Sequence, residues 1–440
     1  MTTKADTLIF NATLITMDKD LSVINKGAIA VSGNRILTLG SQTDLLAHYS
    51  AVDQVDAGGG IVMPGLINTH THLAMVLLRG LAEDLALKPW LHKVWKAESA
   101  IMSPNNVEIG ARLGLIESIM SGVTTAIDMY WYPERTARVA QSIGFRLANG
   151  PVFLDSNTAP DGILFSERGN YASEFMAEFQ DDPLIIPMFM PHSTATDSPT
   201  ALKQVKELSD KHNVMLNMHC AETEGEANDV YNRYGKTPVA LLDSIGLLDK
   251  PTVLAHCVHV TQSEIEILAQ KRVLVAHNPV SNLKLASGIA PVTEMLQAGV
   301  KVGIGTDGAQ SSNDLNLWLP IRLAALLQKV QQQDASIITA QQAVKMATID
   351  AAVGMGLGDQ IGSLEPGKKA DLIILRKSAP HMVPMYNLYA QLVYAAGRDD
   401  VDNVMINGKW IMRNRELLTA DLQDCLKRVN YLAAGIQSYA

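Results

Sequence analysis

Between about residues 65 and 305, short apolar runs alternate with stretches of helical spacing. Candidate strands fall at 66–69, 124–128, 146–149, 184–190, 214–218, 252–255, 273–276 and 300–305. Segments such as 106–121 and 201–212 lie between them, with apolar residues at helical intervals. Strands joined through helices are parallel, and eight of them predict an α/β fold of the closed (β/α)8 TIM-barrel type. In such a barrel, side chains from different strands meet at the C-terminal edge, so chemistry is sought at the last residues of each run.

The flanks read differently. The runs 8–17, 27–31 and 35–39 are β-rich and broken by turn residues. Gly58-Gly59-Gly60 marks a loop, and no Lys-Ser or Lys-Thr follows to make it a phosphate cradle. After about residue 362 short strands return at 370–375, 401–406 and 409–412, the last two joined by the hairpin signal Asn407-Gly408. We expect both chain ends to form one small β-sandwich domain, residues 1–64 with 365–440 including a C-terminal helix, beside a barrel of residues 65–364. A chain of 440 residues is long enough for these two cores.

Composition removes several classes. With 47% hydrophobic and 18% charged residues the chain is globular. Its net charge is −9 and it has no dense Lys/Arg run, which argues against a nucleic-acid partner. No apolar run approaches the roughly 20 residues that span a bilayer, and the N-terminus lacks a basic-then-apolar leader pattern. Cys220, Cys257 and Cys425 form no CxxC pair, which excludes a zinc knuckle, and so sparse a set suits a reducing compartment. A cytoplasmic location is expected. The 19 methionines read as pliable core filling.

The first barrel strand ends in Asn68-Thr69-His70-Thr71-His72. Residues two apart on a strand share a face, with Cα atoms roughly 6.5–7 Å apart, so two imidazoles can converge on one ion. His219 closes the run 214–218 and precedes Glu222 by three residues, His256 closes 252–255, and Asp307 follows 300–305. Each alone is as well explained by an ordinary hydrogen-bonded strand end. Together they place three histidines and a carboxylate on one rim, a nitrogen–oxygen set that suits Zn²⁺ or Fe²⁺. Such an ion lowers the pKa of a bound water. Glu222 and Asp307 are the carboxylates at hand to move protons, and His256 can hold a hydroxide or a developing oxyanion.

These motifs carry a resemblance. Pro64–His72 (PGLINTHTH), HCAET at 219–223, AHC at 255–257, NPVSNLKLASG at 278–288 and GTDG at 305–308 resemble the amidohydrolase superfamily, as do the segments 362–372 and 404–409 of the small domain. The resemblance spans nearly the whole chain and implies the barrel-plus-sandwich fold. Two-metal members carry a lysine at the end of the fourth strand. Here that strand has none and ends at His192, so the resemblance implies one divalent ion, zinc first and iron second, held by His70, His72, His219 and Asp307. It also implies proton shuttling by Glu222, water activation by Asp307 and support from His256.

Within that superfamily, LLRGLAEDL at 77–85, Trp90-Leu91, Glu98, His192 and NPVSNLKL resemble the methylthioadenosine/S-adenosylhomocysteine deaminases. The resemblance implies that Glu98 binds ribose hydroxyls, which suits a bidentate carboxylate. It also implies that His192 and Arg168 contact substrate, alongside Glu222 and Asp307, and that Trp90 walls the pocket. The partner expected is a small nucleoside, and a homo-oligomer is expected. The rival readings are a hydrolase of another heterocycle (guanine, triazine, pterin) and an inactive binding scaffold. Glu98 separates the first, because a free base has no ribose; the complete ligand set speaks against the second. His48, His92, His212 and His381 read as surface or helix residues, His259 and His277 as residues near the pocket, and Met129–Tyr132 as loop packing.

Overall fold

The computed structural model describes residues 2–85, 87–156 and 159–436. Eight parallel strands form the barrel: β1 (Leu66–His72), β2 (Val123–Asp128), β3 (Arg146–Asn149), β4 (Ile185–Pro191), β5 (Met215–Cys220), β6 (Thr252–His256), β7 (Leu274–His277) and β8 (Lys301–Ile304). Neighbours pair in chain order, and β8 returns to β1 through Ile304 and Asn68. The strands read as continuous apolar runs because helices cover them outside and one another's side chains fill them inside. β7, for example, is buried at every residue.

Closure depends on a glycine. A Cβ on Gly305 would stand 2.1 Å from Asn278 Oδ1 and 3.0 Å from the His70 carbonyl. Only a residue without a side chain lets the end of β8 approach β1 this closely. That approach lets Asp307 reach His70 and His72.

The two chain ends share a nine-stranded sheet. Leu372–Leu375 from the C-terminal part lies antiparallel to Ile61–Pro64 from the N-terminal part, with Leu372 opposite Pro64. This pairing sets the entry into β1. The expected hairpin joins Val401–Ile406 to Lys409–Arg413, and Asn407 and Gly408 have φ of 50° and 75°, the left-handed pair such a two-residue turn needs. Beneath the barrel, Arg146 at the start of β3 forks onto Asp371 at 2.9 and 3.1 Å with both side chains buried. Asp371 also accepts from the Asn407 amide at 2.7 Å. The C-terminal helix Leu422–Ile436 packs on the helix Pro104–Met120.

Candidate active site

The strand ends deliver the predicted residues to one place. His70 and His72 end β1, His219 is the last residue but one of β5, His256 ends β6, and Asp307 follows β8. His70 Nε2 and His72 Nε2 stand 3.5 and 3.2 Å from Asp307 Oδ1. His219 Nε2 stands 3.3 Å from His72 Nε2. His70, His72 and His219 form one convergent donor group, and His70, His256 and Asp307 another.

The surrounding bonds fix which atoms face inward. The Nδ1 of His72 bonds the Met129 carbonyl at 2.6 Å, and that of His219 the His192 carbonyl at 3.0 Å. Each Nδ1–H is therefore spent on backbone and each Nε2 is turned to the centre. Asp307 Oδ2 accepts from Ser281 Oγ and Ser311 Oγ, both at 2.7 Å, which leaves Oδ1 for the centre.

The donors fit a divalent ion. Around a tetrahedral ion bound at about 2.0–2.2 Å, neighbouring donors stand about 3.3–3.5 Å apart, the spacing seen here. His70 is fully buried, and neither of its ring nitrogens has a hydrogen-bond partner among the described residues. Such orphaned nitrogens are costly unless something else takes their lone pairs. Burial opposes charge on His72, yet the hydrogen bond and charge of Asp307 raise it to about 9. Burial instead lowers His70 to about 4 and His219 well below the usual imidazole range, which keeps those two rings neutral with a lone pair to offer.

Proton-carrying groups lie beside the donors. Glu222 Oε2 is 3.9 Å from His256 Nε2, and Glu222 Oε1 accepts from Ser287 Oγ at 3.3 Å. Burial pushes the Glu222 carboxyl up, against the pull of His256. His256 Nδ1 bonds Asn282 Oδ1 at 2.8 Å. Burial lowers His192 to about 4; its Nδ1 bonds Thr196 Oγ1 at 2.9 Å.

Next to this centre lies a wall made by the helix Leu87–Ile101, which carries Trp90 and Glu98. Glu98 is 5% exposed. Burial raises its carboxyl, while hydrogen bonds from Tyr130 and Trp131 and the charge of His72 draw it back. Trp90 packs with Met75, Leu78, Val94 and Tyr130.

A family model for the amidohydrolase family matches residues 61–411. This chain belongs to the amidohydrolase family. The amidohydrolase is 44% identical over 413 residues to a 5-methylthioadenosine/S-adenosylhomocysteine deaminase of Moorella thermoacetica, covering 92% of this chain and 94% of that one. A protein of the same name from Syntrophobacter fumaroxidans is 39% identical over 435 residues, 99% of each chain. Among solved structures, a zinc-bound adenosine deaminase from Xanthomonas campestris superposes with a TM-score of 0.97 at 35% identity, covering 100% of both chains.

Two expectations for this amidohydrolase gain detail in the structure. Arg168 is 1% exposed, with both terminal nitrogens committed to the Asp161 carboxylate and its guanidinium over the Trp131 ring, 5.5 Å from the centroid. It keeps one open donor, Nε, which has no hydrogen-bond partner among the described residues. Tyr130 and Trp131, read from sequence as loop packing, lie in the buried apolar cluster of that wall and also hydrogen-bond Glu98. His277 is buried beside the centre with neither ring nitrogen partnered among the described residues, and His259 Nε2 bonds the Ser287 carbonyl at 2.7 Å. Sequence reasoning missed Ser281, Asn282, Ser287, Thr196 and Ser311 as orienting groups. Ser281, Asn282 and Ser287 lie inside the NPVSNLKLASG run, so a motif was visible without its chemistry.

Proposed function

We propose that this amidohydrolase hydrolyses the C6 amino group of adenosine-type thioether nucleosides, 5′-methylthioadenosine and S-adenosylhomocysteine, with water, giving the inosine analogue and ammonia. The relatives' shared name supports the reaction. The observation that carries the nucleoside assignment is Glu98, a buried carboxylate on the wall beside the metal centre. Two vicinal sugar hydroxyls can donate to such a carboxylate, and a free base offers it no such pair.

His70, His72, His219 and Asp307 would hold one ion, which we assign as zinc. When bound, the ion supplies Lewis acidity that brings the pKa of a water toward neutrality. Asp307 and Glu222 receive the protons of the attacking water. Glu222, kept protonatable by burial, delivers one to the purine ring nitrogen beside C6, which makes that carbon electrophilic, and the proton taken by Asp307 passes to the C6 amino group, which leaves as ammonia as the C6–N bond breaks and the C6 carbonyl forms. His256, oriented by Asn282, steadies the oxygen that develops charge. His192 and Glu98 hold the sugar, Trp90 walls the pocket, and Arg168 contacts the substrate through the donor it keeps open, Nε.

Among the described residues no helix is long and apolar enough to cross a membrane. We place the protein in the cytoplasm as a homo-oligomer without a nucleic-acid partner, with residues 1–64 and 365–440 as one domain and 65–364 as the other. The test is the ratio of kcat/KM for methylthioadenosine to that for adenine, in the parent and in Glu98→Gln. The proposal expects a large ratio that collapses in the variant. A ratio that Glu98→Gln leaves unchanged would remove Glu98 from sugar recognition.

A further inference from the structure

Three loops at the catalytic rim converge on one lysine. Lys284 ends the helix Pro279–Lys284, which follows β7. Its ammonium lies 2.8 Å from Glu83 Oε2, donates to Asn313 Oδ1, and reaches the Gln310 carbonyl at 3.3 Å. Asn313 Nδ2 in turn donates to Glu83 Oε1 at 2.8 Å. The three side chains thus close a ring in which both oxygens of Glu83 are taken.

Each member belongs to a different part of the site. Glu83 lies on the segment 79–85, which leads into the helix bearing Trp90 and Glu98. Lys284 shares its short helix with Ser281 and Asn282, the partners of Asp307 and His256. Asn313 ends the helix Ala309–Ser312, which holds Ser311, and takes the left-handed φ of 61° that asparagine tolerates. The backbone carbonyl of Asn313 accepts from Arg79 Nη1 at 2.8 Å, and Arg79 forks onto Glu117. A second clasp therefore secures the start of the same segment.

A lone exposed ion pair does little. Here one ammonium is shared by a carboxylate, an amide oxygen and a backbone carbonyl, and the amide closes the ring, so the geometry of three loops is fixed together.

We propose that Lys284 is a positioning residue: by clasping Glu83 and Asn313 it holds the segment 79–85 and the helix Leu87–Ile101 against the barrel mouth, and so sets the place of the Glu98 carboxylate. The effect on sugar binding rests on the function proposed above; the effect on the segment does not. Lys284 touches no reacting atom, so its loss acts on binding and leaves the chemical step alone.

The test uses metal-replete, full-length Lys284→Met and the charge-reversed double variant Glu83→Lys/Lys284→Glu. Hydrogen exchange is followed in peptides spanning 79–101 and, as a control, β1. The single variant is expected to speed exchange in 79–101 by about tenfold, with β1 unchanged. It is expected to raise KM for methylthioadenosine by about tenfold with kcat within about twofold, and the double variant, in which the Asn313 amide can turn over but the Gln310 carbonyl loses its donor, to restore both in part. Unchanged exchange, or a fall in kcat at constant KM, would overturn the proposal. If the substrate assignment is wrong, the parent is silent on the nucleoside while the exchange difference remains.

Discussion

The Nε2 atoms of His72 and His219 face each other at 3.3 Å, and each ring has already given its Nδ1–H to a backbone carbonyl. Either a proton, which Asp307 favours on His72, or a metal ion must stand between two such nitrogens. The prediction is that His70→Ala/His72→Ala binds no stoichiometric metal by elemental analysis while the parent binds one ion per chain. Chelation of the parent should lower Tm in a way that added metal reverses, since an ion that binds only the folded state stabilises it.

Glu222 is half-buried beside His256 and is not in a donor group. Glu222→Gln keeps the shape and loses the proton. Loss of a general acid–base group costs about 10²–10⁴-fold, so kcat should fall within that range with metal content unchanged. Near-full activity in steady-state assays would remove the shuttle role.

Asp307 offers one oxygen inward because Ser281 and Ser311 occupy the other. Removing both hydroxyls frees the carboxylate to rotate. Ser281→Ala/Ser311→Ala is expected to weaken metal affinity by about 10–100-fold, read as faster loss of the ion to a chelator. An unchanged loss rate would show that the serines do not orient Asp307.

How much of this was open to sequence reasoning follows from what each feature depends on. The barrel strands were legible nearly to the residue, since parallel strands buried on both faces leave unbroken apolar runs. The candidate donors were legible because strand ends are fixed points of the architecture. Ser281 and Ser311 were not, because a serine carries no signal until the fold gives it a partner. Tyr130 and Trp131 were taken for packing because their contact with Glu98 depends on how the helix Leu87–Ile101 lies over the barrel. The neutralisation of Arg168 by Asp161 was hidden for the same reason: side-chain pairing inside a loop follows no period.

The buried Arg146–Asp371 pair joins the barrel to the terminal sheet, 225 residues apart in sequence. Breaking such a pair strands a buried charge and costs about 3–5 kcal/mol. Arg146→Met should lower the unfolding free energy read from denaturant titration by that order, and Arg146→Met/Asp371→Leu should recover part of the loss. A single variant as stable as the parent would show that the pair is not needed to hold the two units together.

The central claim is the reaction and its substrate. It is tested most directly by a steady-state panel on metal-replete protein, following ammonia release and the ultraviolet change from adenine to hypoxanthine. The panel comprises methylthioadenosine, S-adenosylhomocysteine, adenosine, adenine, guanine and a chlorotriazine. The account predicts turnover of the thioether nucleosides far above the free bases; turnover confined to a base or the triazine, or none at all, would contradict it.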